Sequence, residues 1–436
     1  MATARTTALS ALIATRRQGA WSDGVLKQYI TRDGLDRRDA ALASQLCYGV
    51  LQNRALLEYE LSQVLSSKFK DLQPVVADIL LLGAYQVLLL ERVPDSAAVN
   101  EAVEQCKTYG NRRAAGLVNG VLRSLSRQKG SLTQPDDLET KYSHPAQLVT
   151  LLRENLPEGT VEAFLAADNA PAPMTLQYNP LKTQPQSVWD ELTAAGVRLT
   201  PHPWLPDCML AEGAGDLTRL PAFCEGRVYV QDAAAALAAR CAGAQPGMRV
   251  LDVCAAPGGK SFAMASRMEN RGEVLSCDIH PHKIALLEKG AQRLGIENLT
   301  ARVQDASARC DELIGQMDVV VADVPCSGLG VIRKKPDIRY KELAPMQRLP
   351  QVQRAILENV SAYVKPGGVL LYSTCTVLRR ENEDVAQAFL QAHPEFCAEA
   401  LALPDGLRVQ DARFVTLLPG QHDCDGFFIC KMRKQA

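Results

Sequence analysis

From Pro246 onward, short continuous apolar runs alternate with stretches of helical spacing, and this alternation constrains the fold more than any other feature of the chain. Strands are predicted over 249–254, 274–279, 301–304, 319–323 and 369–373, with helices between them. Strands that are apolar throughout, rather than at every second residue, suit a parallel sheet covered by helices on both faces. Two further runs, 414–418 and 427–431, lie around Gly420 and Asp425-Gly426 and read as an antiparallel pair. The expected fold is therefore α/β: a doubly wound, mostly parallel sheet ending in a hairpin.

The remainder of the 436 residues is too long to share that core, and its texture divides the chain into 1–130, 131–235 and 236–436. Residues 1–130 read as helices only, with apolar side chains at helical spacing near Leu9, Leu42 and Tyr48 and over 79–90. The 79–90 run is too short to cross a bilayer and reads as a buried helix. A helix over 114–125 carries Arg112, Arg113, Arg123 and Arg127 near its ends, which serve either as a solvated face or as RNA contacts. The first nineteen residues read as an amphipathic helix, with a transit peptide as the lesser alternative. After Pro135-Asp136-Asp137, strands at 174–179, 197–201 and 227–231 around a helix at 188–195 form a small α+β module.

With 48 basic and 49 acidic residues, the chain does not hold nucleic acid by bulk charge, which leaves local patches. Its thirteen cysteines follow no disulfide or zinc spacing, so no metal is expected, and a soluble, cytoplasmic, monomeric protein without a membrane segment is.

Three motifs sit at predicted strand ends. Cys254-Ala255-Ala256-Pro257-Gly258-Gly259-Lys260 leads from the first strand through a glycine turn into a helix, where backbone N–H groups can approach a ligand. It matches neither the dinucleotide fingerprint nor the P-loop. Asp278, Asp305 and Asp323 end the next three strands, the first placed for ribose hydroxyls and the second for an adenine edge. One such aspartate is commonly a helix cap; three beside a glycine turn fit one adenosyl ligand such as S-adenosylmethionine. Cys326, in Asp323-Val324-Pro325-Cys326, and Cys375, in Ser373-Thr374-Cys375, then face the same crevice. Two thiols beside a methyl sulfonium suit methylation of cytosine carbon 5. A thiolate adding to carbon 6 breaks the ring's aromaticity and makes carbon 5 nucleophilic, and an acid near ring nitrogen 3 stabilises the charge that develops. Lys260 or a helix N-terminus is placed to lower the attacking thiol's pKa.

These motifs, with 330–337 (GVIRKKPD) and Asp425-Gly426-Phe427-Phe428, resemble the Sun family of RNA (cytosine-5) methyltransferases over roughly residues 230–436. The helical segment looks like the NusB-type RNA-binding bundle of bacterial members that modify small-subunit ribosomal RNA. The resemblance implies a class I, Rossmann-like methyltransferase domain, with Cys375 as nucleophile, Cys326 aiding product release and Asp323 on the base. It also implies S-adenosylmethionine held by Cys254–Lys260, Asp278, Asp305 and Asp323. Arg333, Lys334, Lys335 and Arg339 read as phosphate contacts or as a solvated loop. The chain departs from the family pattern at Leu329, at Arg379-Arg380 and at Gln177-Tyr178-Asn179, which lacks the usual arginine before the asparagine. The rival readings are the same chemistry on transfer RNA or DNA, and a non-catalytic ribosome-assembly factor on a methyltransferase fold. A nicotinamide enzyme is least favoured, because no hydride-transfer constellation accompanies the turn.

Overall fold

The computed structural model describes residues 2–18 and 22–436. They fall into two compact units, the first running to Ala170 and including Ile332–Lys341, the second comprising Pro171–Val331 and Glu342–Ala436.

In the first unit the helices are α1 (Ala4–Gln18), α2 (Ser22–Asp33), α3 (Arg37–Gln52), α4 (Arg54–Ser62), α5 (Pro74–Leu89), α6 (Asp95–Tyr109), α7 (Ala115–Gln128), α8 (Leu138–Lys141), α9 (Ala146–Asn155) and α10 (Val161–Asn169). Proline at its first turn starts α5, which is buried over most of its length and packs against α1, α3, α4, α6 and α7. Around it the other helices are amphipathic: α7 buries Val118, Val121, Leu122 and Leu125, one stripe of a 3.6-residue period. Arg112, Arg113, Arg123 and Arg127 are exposed.

The segment Ile332–Lys341 corrects the reading of the basic loop. Arg339 is only 2% exposed and donates from Nη1 to the carbonyls of Gln52 and Ser143 at 2.9 and 3.2 Å and to Asn169 Oδ1 at 2.9 Å. Gln52 and Asn169 end α3 and α10, so the guanidinium satisfies the last carbonyl of α3 and the side-chain amide of the last residue of α10, at the negative ends of two helix dipoles. Tyr340 donates to Leu51 O at 2.7 Å, and Asp337 accepts from Ser22 N at 3.1 Å. Arg333 is buried as well, which leaves Lys334 and Lys335 as the exposed cations of the four. The sequence showed the charge but not the carbonyls waiting for it.

The second unit opens with β1 (Met174–Tyr178), α11 (Pro185–Ala194), β2 (Arg198–Pro201), β3 (Cys208–Glu212), α12 (Pro221–Cys224) and β4 (Val228–Val230), forming an antiparallel sheet of order β2-β3-β1-β4. Its third strand went unread in the sequence, because Cys-Met-Leu-Ala-Glu has neither β-branching nor a clean alternation.

Next come α13 (Ala233–Ala242), β5 (Arg249–Asp252), α14 (Gly259–Arg267), β6 (Glu273–Asp278), α15 (Pro281–Leu294), β7 (Leu299–Val303), β8 (Met317–Asp323), α16 (Leu349–Ser361), β9 (Val364–Thr374), α17 (Glu383–Ala392), β10 (Phe396–Glu399), β11 (Val415–Leu417) and β12 (Phe427–Lys434). The sheet order is β10-β12-β9-β8-β5-β6-β7, with β11 on β12. Strands β5 to β9 run parallel, and β12 pairs antiparallel with β9, β10 and β11. Neighbouring strand residues feed opposite layers: Val250, Val319 and Val321 pack on one face, Leu251, Val320 and Leu370 on the other. The chain progresses outward from β5 in one direction through β6 and β7 and in the other through β8 and β9. A crevice therefore opens at the C-terminal ends of β5 and β8. Among the described residues no helix is long and apolar enough to cross a membrane.

Candidate active site

The glycine turn, Asp323 and the two cysteines meet at this switch point, while Asp278 ends the neighbouring strand β6 and Asp305 follows β7. The turn 253–258 joins β5 to α14, and Gly258 holds φ +113°, where a side chain would be strained and its Cβ would lie 2.3 Å from the Phe262 ring. Beneath the turn, Ser261 donates to Asp252 at 2.7 Å and Ser276 to Ser261 at 2.8 Å. Burial pushes the Asp252 carboxyl up to about 6 and the Cys254 thiol far above its usual range. Asp278 is buried and accepts from His280 N at 3.0 Å and Lys283 at 3.3 Å. Asp305 is exposed, and the N–H and hydroxyl of Ser307 hold its carboxyl below the usual range.

Adjacent parallel strands bring the thiols together. Asp323 and Ser373 are register partners on β8 and β9, Cys326 follows Asp323 by three residues, and Cys375 follows β9 directly. Their sulfurs are 3.3 Å apart. The Cys326 thiol donating to Cys375 holds Cys375 below the usual thiol range against the opposing effect of burial, and the Lys260 ammonium acts in the same direction. Its partner moves the other way: Cys326 is raised by the bond to Cys375 and by burial. Lys260 ion-pairs with Asp323 at 2.6 Å and lies 5.0 Å from the Phe427 ring centre. Although burial opposes its charge, Asp323 raises the pKa of Lys260. Asp323 also accepts from Ser373 Oγ at 2.8 Å.

Several residues that fix this geometry lay outside the sequence reading of the site. Glu381, fully buried, accepts from Ser327 N and from the Gln353 amide, both at 2.9 Å, and Gln353 also reaches Pro325 O at 3.1 Å. Asn382 donates to Thr376 O at 3.0 Å and accepts from Thr374 Oγ1 at 2.6 Å. The Pro-Cys, Thr-Cys and Asp-Gly loops are then stitched by Gly330 N on Cys375 O at 3.0 Å and Gly426 N on Gly330 O at 2.8 Å. A Cβ on Gly330 would lie 1.9 Å from Gly426 O, so the crossing admits only glycine there. Leu329, the departure between the glycines, is buried in this loop; Arg379 pairs with Asp384 at 3.3 Å.

Gln231 follows β4 and is 6% exposed, yet neither polar atom of its amide has a partner among the described residues. A Cβ on Gly259 would lie 3.2 Å from its Nε2. An unsatisfied buried amide beside an open helix N-terminus and strand-end carboxylates suits a polar small-molecule ligand in the crevice. Only the spacing of Gln231-Asp232 before α13 could have pointed to it, and that signal is weak. Among the described residues, no group of three or more His, Cys, Asp and Glu side chains is arranged to hold a metal ion.

Three family descriptions match the chain: 16S rRNA methyltransferase RsmB/F over residues 241–433, the NusB family over 2–127, and an RsmF/B-like ferredoxin-like domain over 144–218. The chain is 38% identical, over 99% of its length and 98% of the relative's, to the probable ribosomal RNA small subunit methyltransferase B of Bacillus subtilis. It is 35% identical, over 91% of each chain, to the ribosomal RNA small subunit methyltransferase B of Salmonella typhi. Among solved structures, PH0851 superposes with TM-score 0.79 at 25% identity over 98% of each chain. NSun6 from Pyrococcus horikoshii superposes with TM-score 0.59 at 20% identity, over 67% of this chain and 98% of that one, and so shares the fold. A NusB-like domain, a ferredoxin-like module and a Rossmann-like methyltransferase domain thus follow one another in a chain that belongs to the ribosomal RNA small subunit methyltransferase B family.

Proposed function

We propose that this protein methylates carbon 5 of a cytosine in small-subunit ribosomal RNA through a covalent bond between Cys375 and the base. The observation that carries the reading is the sulfur pair, Cys375 and Cys326, 3.3 Å apart beside Lys260 at the switch point. S-adenosylmethionine, when bound, supplies an electrophilic methyl group on a sulfonium sulfur. The unpartnered Gln231 amide and the Gly258 cradle support its fit, with Cys254–Lys260, Asp278 and Asp305 as the residues that would hold it.

The Cys326 thiol and, to a smaller extent, Lys260 lower the pKa of Cys375 and so favour the thiolate that attacks. Its electron pair forms the sulfur–carbon 6 bond, and the ring's 5,6 π pair becomes available at carbon 5. The Lys260–Asp323 pair faces the same point and steadies the charge that reaches ring nitrogen 3. Once carbon 5 carries the methyl group, a base must take its remaining proton. The carbon–hydrogen pair then re-forms the double bond and Cys375 leaves as thiolate. Cys326, beside the leaving sulfur, assists this release.

In this reading residues 1–130 and 131–235 bring in the RNA, 236–436 carry the chemistry, and the protein works in the cytoplasm as a monomer. The names of the relatives support the ribosomal target. Cys375→Ala is expected to abolish both methyl transfer and covalent capture of RNA, while Cys326→Ala accumulates the protein–RNA adduct on denaturing gels. Capture that persists without Cys375 and vanishes without Cys326 would reverse the roles. Bisulfite sequencing of ribosomal RNA from cells lacking the protein should show one unprotected cytosine in the small subunit; loss in transfer RNA alone would overturn the target.

A further inference from the structure

Within the second unit, a cavity of about 220 Å³ is lined by Gln177 at the end of β1, Tyr229 on β4, Asp207, Arg240 on α13, and Ser266 and Arg267 on α14. None of these residues belongs to the thiol site. A single water needs on the order of 15 Å³ of such room, so the cavity is many times larger than a hydration site. Gln177 and Ser266 are 6% and 3% exposed, and Gln177 Nε2 and Ser266 Oγ have no hydrogen-bond partner among the described residues. Folded chains seldom leave such groups unmet. Both residues belong to the lining of this one cavity. Tyr229, also buried, adds an aromatic side chain to the lining.

The charge at the edge of the cavity has a definite sign. Arg267 and Arg240 both reach Asp207, at 2.7 and 3.3 Å, and all three side chains are more than a third exposed. Each guanidinium gives Asp207 one N–H, so the trio carries one net positive charge with donors of fixed geometry to spare. An amide and a hydroxyl in the interior, an aromatic wall and guanidinium groups at the rim match one chemical class: an unstacked base attached to a phosphate.

We infer that this cavity binds one nucleotide of the RNA other than the target cytosine, its base on Gln177 and Ser266 and its phosphate on Arg240 and Arg267. The inference rests on the reading that the substrate is RNA. Ser266 lies roughly 9 Å further along α14 than Lys260, at 1.5 Å per residue, which suits a nucleotide near the target.

The test is calorimetric titration of the whole protein with the four nucleoside 5′-monophosphates, with saturating S-adenosylhomocysteine present to occupy the cofactor crevice. At least one monophosphate should bind. Gln177→Leu should weaken it about tenfold, the equivalent of one hydrogen bond to a buried donor, and leave S-adenosylhomocysteine affinity unchanged. Arg267→Gln, an exposed change that spares the interior, should weaken the monophosphate and not the free nucleoside. No binding at millimolar concentration would mean a water-filled cavity and overturn the inference, as would equal affinity in wild type and Gln177→Leu. Methyl incorporation into small-subunit ribosomal RNA is measured in parallel. Incorporation without monophosphate binding removes the cavity site alone, whereas binding without incorporation removes the proposed reaction and leaves the nucleotide site standing.

Discussion

Two cysteines 3.3 Å apart have their pKa values pushed in opposite directions, Cys375 down and Cys326 up, by the bond between them. Cys375 receives the bond from Cys326 and the field of Lys260, and its pKa falls below the ordinary 9.0. A depressed acid binds fewer protons in the folded chain than in the unfolded one. Its contribution to stability is therefore present above the unfolded value and is lost as pH falls through the folded one. Iodoacetamide, which reacts with the thiolate, should modify Cys375 with a rate midpoint below pH 9.0, and Cys326→Ala should move that midpoint upward. Lys260→Met should do the same, by removing the second source of stabilisation. Mass-spectrometric rates over a pH series provide the measurement, and a midpoint indifferent to both changes would show that neither neighbour sets it. Cys254, raised by burial, should stay unmodified throughout. The thiols and Asp323 were legible in the sequence because strand ends announce themselves by an apolar run that stops. Glu381, Gln353 and Gln231 were not, since each works through a partner distant in sequence or through a space that only the fold creates.

At the scale of elements, the parallel strands could be read because they are covered on both faces, so nearly every residue is apolar and the run stands out. The strand at Cys208–Glu212 and the edge strand at Phe396–Glu399 were missed: the first lacks β-branched residues, and the second is defined by its pairing with β12. The basic stretch after Pro-Cys shows the reverse failure. Charge on a loop usually means solvent or phosphate, yet Arg339 is committed to carbonyls at the ends of α3 and α10. Removing it leaves those acceptors buried without a donor. Arg339→Ala should therefore cost the helical unit roughly 3 kcal/mol, the scale of lost bonds to a charged group. Arg339→Lys should recover only part, because the shorter side chain keeps the charge but loses the second nitrogen that donates to Asp168 O at 3.5 Å. Urea melts give the loss, and hydrogen exchange should place it at the C-termini of α3 and α10. Faster exchange spread evenly over α1 to α7 would mean that the residue acts elsewhere.

For the whole molecule, near-neutral charge and three textures were plain from the sequence, but the discontinuity of the helical unit was not, since nothing in the periodicity marks Ile332–Lys341 as leaving one unit for the other. That discontinuity has a thermodynamic consequence. A fragment ending at Ala170 contains every helix from α1 to α10 but lacks Arg339, Tyr340 and Asp337. It forfeits the bonds to Gln52 O, Ser143 O, Asn169 Oδ1 and Leu51 O, and the one from Ser22 N. Some of these groups regain water, so about 1 kcal/mol each is the appropriate scale and the deficit for the five bonds is roughly 5 kcal/mol. For a body of this size each kcal/mol moves the melting temperature by about 2–4 °C, so the fragment should melt on the order of 10 °C below the same helices in the full chain. A synthetic peptide covering 330–343, added in trans, should raise the fragment's melting temperature saturably, and the same peptide with Arg339→Ala should raise it less, as expected when a ligand binds only the folded form. Equal melting of fragment and intact unit, followed by circular dichroism and hydrogen exchange, would show that the helical unit is complete without the segment. The alternative outcome makes the stretch just beyond the Pro-Cys motif a structural part of the helical unit, which does not reach its full stability without it.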